Sequence, residues 1–161
     1  MTRLCPMNSA EFSHWREQSI PAYAADKVRS GRWSEAESLS EAEKELSTLL
    51  SQGQETPGHK FFTIKAASDH SIGALWIARA ERPSGPIGYI YDLVIWPEHR
   101  RMGHAESAMR ELEDEVSRMG FGGLALHVFG QNASARCLYS KLGYEPTNMN
   151  MFKSLAPPSD A

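Results

Sequence analysis

The run His99-Arg100-Arg101-Met102-Gly103-His104-Ala105-Glu106 sets two cations and a glycine directly ahead of a helical pattern. A helix leaves its first amides without internal acceptors, and its dipole puts partial positive charge at the same end. With Arg100 and Arg101 beside them, those amides read as an anion site suited to phosphate, and Gly103 lets the backbone approach the guest closely. The alternative is a solvated arginine pair on a loop. Downstream, Asn132 and Tyr139 lie seven residues apart, two helical turns, and share one helix face. Upstream, Tyr91 and Asp92 are neighbours in an aromatic, β-branched run. Strand alternation sends their side chains to opposite faces, so one at most enters a common cleft, and Tyr89 shares the face of Tyr91. His127, in a later apolar run, has a reference pKa of about 6.5 and suits proton transfer at neutral pH, although a lone strand histidine also packs simply as a core residue.

The elements that position these residues follow from periodicity. A short strand near residues 2 to 6 precedes a helix capped by Asn8 or Ser9, with Pro21 expected to kink it or start a new turn. Ser34 with Glu37 forms a capping-box pattern ahead of a second helix that buries Leu39, Leu46, Leu49 and Leu50 and ends at Gly53. The period then changes. "HKFFTIKAA" and "SIGALWIARA" read as a hairpin, "IGYIYDLVIW" as a third strand, and the three as antiparallel. A helix from Gly103 to Met119 turns one apolar stripe inward (Ala105, Met109, Leu112, Val116, Met119) and carries Glu106 with Arg110 and Asp114 with Arg118 as i,i+4 pairs. "LALHVF" is a further strand, "NASARCLYSKL" a helix closed by Gly143, and "MNMFK" a last strand. Residues 1–155 form one domain and 156–161 a flexible tail.

Composition narrows the function classes. Of the 161 residues 41% are hydrophobic and 23% charged, as in an ordinary globular protein, and a net charge of −3 excludes nucleic-acid binding driven by phosphate neutralisation. Cys5 and Cys137 read as two reduced thiols and match no zinc spacing, so no metal is expected. "MTRLCPMNSAEF" holds no apolar run of signal-peptide length and no stretch approaches the roughly 20 apolar residues of a membrane span, so the location expected is cytoplasmic. No GxxxxGK[ST] loop occurs, and "GFGG" at 120–123 precedes a strand, the reverse of a dinucleotide turn.

The segment from Arg100 to Ala105 fits the pattern Q/R-x-x-G-x-G/A of the GCN5-related N-acetyltransferase (GNAT) superfamily, and "VFGQNASARCLYSKLGYEPTNM" resembles that superfamily's second signature at the expected separation. The resemblance covers about residues 87 to 153, and the helical N-terminal half is similar to the family's first two helices. It implies an α+β, three-layer fold: a mixed, mostly antiparallel central sheet splayed between its fourth and fifth strands, with helices on both faces. Acetyl-coenzyme A would lie in the splay. The amides of Arg101, Met102, Gly103, His104, Ala105 and Glu106 would then bind the pyrophosphate, beside Arg100, and the backbone of Leu93, Val94 and Ile95 would pair with the pantetheine arm. Asn132 matches an asparagine that hydrogen-bonds the cofactor, and Tyr139 a tyrosine that protonates the coenzyme A sulfur. Arg101 stands where many members have glycine.

The implied reaction transfers an acetyl group to a primary amine of a small molecule or a peptide or protein N-terminus, by direct attack in a ternary complex. A phenol of reference pKa about 10 can donate to a thiolate of about 8.5 held against it. For the general base the candidates are Asp92 and His127, with a water chain as the alternative. Cys137 lies two residues from Tyr139, on a different helix face, which disfavours an acyl-cysteine route. Glu35, Glu37, Glu41, Glu43 and Glu45 either draw in a cationic acceptor or form a solvated face. Trp15, Tyr23, Trp33 and Trp76 either line a pocket or pack the core. A homodimer is also considered. The rival reading is a non-catalytic module that senses coenzyme A or acyl-coenzyme A.

Overall fold

The computed structural model describes residues 1–157. Its elements run β1 (Thr2–Pro6), α1 (Ser9–Arg29), α2 (Glu35–Leu49), β2 (His59–Ala66), β3 (Ser71–Arg82), β4 (Gly85–Ile95), α3 (His104–Arg118), β5 (Leu124–Leu126) and α4 (Ala133–Lys141), with single 3-10 turns at Gly53–Glu55 and Pro97–His99. One sheet holds all five strands in the order β1-β2-β3-β4-β5. The first three pairings are antiparallel and β4 with β5 is parallel. The three layers and the helices on both faces agree with the expected fold class.

Alternation along β2 and β3 gives the sheet two apolar faces. On one, Ile64, Ile72, Leu75 and Ile77 meet the α3 stripe of Ala108, Met109, Leu112 and Val116. On the other, Phe61, Ala74 and Trp76 meet Phe12 and Trp15 of α1 and Leu46 of α2. Each large side chain buried this way contributes about 1.5–3 kcal/mol. Side chains of α3 also cover the free edge of β1: the Thr2 amide donates to Ser107 Oγ at 3.2 Å and the Leu4 amide to Glu111 Oε1 at 3.1 Å. That protects the edge from further pairing.

Several local expectations need correction. The capping box forms at Asn8 and Glu11, where the Glu11 amide reaches Asn8 Oδ1 at 2.8 Å and the Asn8 amide reaches Glu11 Oε2 at 2.9 Å. Ser34 occupies the α2 cap position, but its hydroxyl bonds the Glu37 side chain and no amide. Pro21 sits inside a helix that runs unbroken from Ser9 to Arg29, and α2 ends at Leu49. Leu46 and Leu50 are buried, whereas Leu39 and Leu49 are exposed because Ser38 and Ala42 take the inward positions. Arg110 pairs with Glu106 as expected, but Arg118 pairs with Glu115, one turn position away from Asp114. The strand expected at "LALHVF" stops at Leu126, and "MNMFK" forms none: every residue from Glu145 to Pro157 is exposed and outside any sheet. Of the expected tail, residues 158–161 lie outside the described residues.

Candidate active site at the β4–β5 splay

Parallel pairing of β4 with β5 covers three positions, Gly88 with Leu124, Tyr89 with Ala125 and Ile90 with Leu126. Beyond Ile90 the β5-facing edge of β4 has no strand partner among the described residues, so the backbone of Leu93, Val94 and Ile95 borders an open wedge. Gly88 permits the close approach before the wedge, since a Cβ there would lie 2.9 Å from Leu124 Cδ2. An open cavity of about 590 Å³ occupies the wedge and extends under α1. Asp92, Leu93, Val94, His127, Asn132 and Tyr139 all line it.

The β4 strand carries a bulge that sequence alternation does not foresee. Trp76 pairs with Asp92 and the next residue, Ile77, with Ile90, leaving Tyr91 as the extra residue. Tyr91 stacks on Trp76 with ring centroids 4.5 Å apart, and Asp92 Oδ2 accepts from Trp15 Nε1 at 2.8 Å. Both side chains thus face α1, and both line the cavity. The expectation that only one could enter the cleft fails because a bulge resets the period. Tyr89 does share the face of Tyr91, edge-on at 4.8 Å. His59 accepts the Trp76 indole N–H through Nδ1 at 2.9 Å, which fixes the floor of this aromatic array.

Burial raises the Asp92 pKa to about 6; the nearby Asp26 charge adds to the rise, and the N–H groups of Trp15 and Leu93 oppose it. Tyr139, on α4, packs against the core beside Tyr144, with centroids 5.7 Å apart. Burial foremost, then the Asp92 charge, holds its phenol above the ordinary tyrosine value. Asn132 caps α4, accepting from the Ala135 amide at 3.2 Å, and lines the cavity as well. His127 lies one residue past β5, exposed at the rim, with its ring edge-on to Phe129.

At the outer end of the wedge, the chain from Arg100 to Gly103 turns into α3. Arg101 has φ +60° and Gly103 φ +81°, both left-handed, so successive amides fan toward one side. Ser107 is the first α3 residue whose amide meets a carbonyl, that of Gly103 at 3.1 Å. Among the described residues the amides from Arg101 to Glu106 donate to no protein acceptor. Met102 is exposed, and His104 and Ala105 open the helix. Arg100 is tied back to the strand end, donating Nε to the Ile95 carbonyl at 2.8 Å, while Glu106 bridges to α4 through Lys141 Nζ at 2.6 Å. Of the residues expected to hold the cofactor, Leu93, Val94, Asn132 and Tyr139 line the cavity, and Arg100 braces the loop that carries the amides from Arg101 to Glu106. Among the described residues no cluster of three metal-ligating side chains occurs.

Sequence reasoning gave Trp15 only a pocket-or-core role and missed its bond to Asp92, along with Lys27 and Arg32, which also line the cavity. No local motif announces them, because α1 and β4 meet only in the folded chain.

Known proteins share this fold. The model of the acetyltransferase (GNAT) family matches residues 22–144. The chain is 33% identical over 153 residues to the uncharacterized N-acetyltransferase YycN of Bacillus subtilis (strain 168), covering 94% of this chain and 97% of that one. It is 30% identical over 149 residues to the uncharacterized N-acetyltransferase YdgE of the same organism, covering 92% and 95%. The crystal structure of YycN superposes with a TM-score of 0.92 at 32% identity, covering 98% of this chain and all of that one. With the splayed sheet, the left-handed loop before α3 and these full-length likenesses agreeing, the chain belongs to the GNAT family of N-acetyltransferases.

Proposed function

We propose that the protein transfers the acetyl group of acetyl-coenzyme A to a primary amine of a small molecule or of a peptide or protein N-terminus, by direct attack within a ternary complex, in the cytoplasm. The observation that carries this reading is the presence of Asp92 and Tyr139 in one cavity at the splay, each with a raised pKa. The residues present fit the cosubstrate: the open β4 edge offers backbone groups to an amide-bearing arm, and the unengaged amides from Arg101 to Glu106 suit a pyrophosphate. Acetyl-coenzyme A supplies, when bound, an activated carbonyl with sulfur as the leaving group.

The protein's own part is positioning and proton movement. The Asp92 carboxylate accepts a proton from the incoming ammonium and leaves a neutral nucleophile. A base near 6 is largely ionised at neutral pH yet basic enough to share that proton. The Tyr139 hydroxyl donates to the sulfur as the carbon–sulfur bond breaks. Asn132 orients the cofactor arm from the cap of α4, and His127, exposed at the cavity rim, is the alternative base. We further propose a homodimer. The segment after α4 exposes Met149, Met151, Phe152 and Leu155, and among the described residues no strand lies beside the outer edge of β5.

Initial rates of coenzyme A thiol release over a panel of primary amines test the activity. Release above hydrolysis for at least one amine supports the transferase. Tight coenzyme A binding with no release for any amine indicates the sensor.

A further inference from the structure

Under α1 the cavity is charged at both ends. At one end stands Asp92. Toward the C-terminal end of α1 stand Lys27 and Arg32. The Arg32 amide closes the end of α1 on the Lys27 carbonyl at 3.0 Å, which holds the two backbones together. Lys27 Nζ lies 5.4 Å from the Tyr23 ring centroid and 5.2 Å from that of Trp33, a cation held against two aromatic rings.

The other charges nearby are already matched. Asp26 is paired with Arg29, Glu43 with Arg16, and Glu45 accepts the Tyr23 hydroxyl at 2.6 Å. Among the described residues no carboxylate pairs with Lys27 or Arg32. The carbonyls ending α1 attract cations by themselves, and Arg29 answers that need without lining the cavity. Lys27 and Arg32 instead stand unpaired on the cavity wall, where Asp26, paired with Arg29, is the other α1 charge that lines it.

We propose that the acceptor carries an anionic group, carboxylate or phosphate, several bonds from its amine, with the anion held by Lys27 and Arg32 while the amine reaches Asp92. Trp76, Tyr89 and Tyr91 line the same cavity and offer apolar faces to the chain of the acceptor. Asp92 stands on β4 and Lys27 and Arg32 at the end of α1, so the amine and the anion sit on different parts of the acceptor. Polycationic acceptors are disfavoured by the same two residues. This inference rests on the transferase reading.

The test compares ω-aminocarboxylates of increasing length with the amides and diamines of equal length. At one chain length the carboxylate should exceed both in kcat/KM by about tenfold, the effect of two charge-assisted contacts at a half-open site. In the Lys27→Gln/Arg32→Gln variant the ratio of carboxylate to amide should fall toward one. An ω-phosphonate series distinguishes a phosphate-bearing acceptor from a carboxylate-bearing one. A diamine as good as the carboxylate or phosphonate, or a preference that survives in the variant, overturns the proposal. Calorimetric titration of 8-aminooctanoate into protein saturated with coenzyme A separates this from the transferase reading. Binding that weakens about tenfold in the variant supports the anion site even if no amine is turned over, and binding that is absent or unchanged overturns it.

Discussion

Trp15 and Asp92, 77 positions apart in the chain, meet through a 2.8 Å hydrogen bond from the indole N–H to the carboxylate, and that bond ties α1 to the bulge in β4. It favours the ionised carboxylate against the burial that disfavours it. Trp15→Phe keeps most of the aromatic packing and removes the donor. The Asp92 pKa should then rise above about 6, and the acidic limb of the kcat/KM profile should move to higher pH. An acidic limb that stays in place in Trp15→Phe would take Asp92 out of the base role.

The same shift couples Asp92 to stability. Its folded pKa of about 6 lies above the reference value of 3.8, so the native state holds the proton more tightly than the unfolded chain. A raised pKa gives stability that is fully present below about 4 and lost as pH rises through about 6. Asp92→Asn mimics the protonated form. It should melt higher than the parent at pH 8, near it at pH 4, and lose on the order of 10²-fold or more in kcat/KM. Melting curves at both pH values check the first part and initial rates the second.

How much of this could be read from the chain alone differs by scale. The helix stripe from Met109 to Val116 and the alternation of β2 and β3 are local patterns, and they form as written. The loop from Arg100 to Gly103 was legible because a helix start, a glycine and flanking cations are contiguous. The Tyr91 bulge was not, since it depends on register with Trp76 of β3. "MNMFK" has strand composition, but composition does not supply a neighbouring edge, and among the described residues no strand pairs with it.

Tyr139→Phe removes the phenolic proton and leaves the ring packed beside Tyr144. Turnover should fall on the order of 10²-fold, the usual scale for loss of one proton donor, with coenzyme A affinity unchanged by calorimetry. Equal turnover in the variant and the parent would remove Tyr139 from the acid role.

Gly103 combines a left-handed φ of +81° with open space, since a Cβ there meets nothing within 4 Å. The cost of Gly103→Ala is therefore backbone strain, about 1–2 kcal/mol, read as a lower melting temperature. Gly103→Val adds branched bulk at the mouth of the amide fan and should also weaken coenzyme A binding. Unchanged affinity in titration calorimetry would mean that the pyrophosphate lies elsewhere.

The segment after α4 sets Met151 and Phe152 side by side at 89% and 93% exposure, more than a folded chain ordinarily leaves to single large apolar residues in succession. Its strand composition suits the outer edge of β5, which pairs with no strand among the described residues, and in a dimer each copy's segment would extend the sheet of the other. Met151→Asp with Phe152→Asp places charge on that surface without touching a core cluster. In light scattering the parent should show twice the chain mass and the double variant a single chain, both with the same melting transition by far-ultraviolet circular dichroism at concentrations where the parent has dissociated. A parent of single-chain mass, or a variant that stays dimeric, would rule out assembly through this segment.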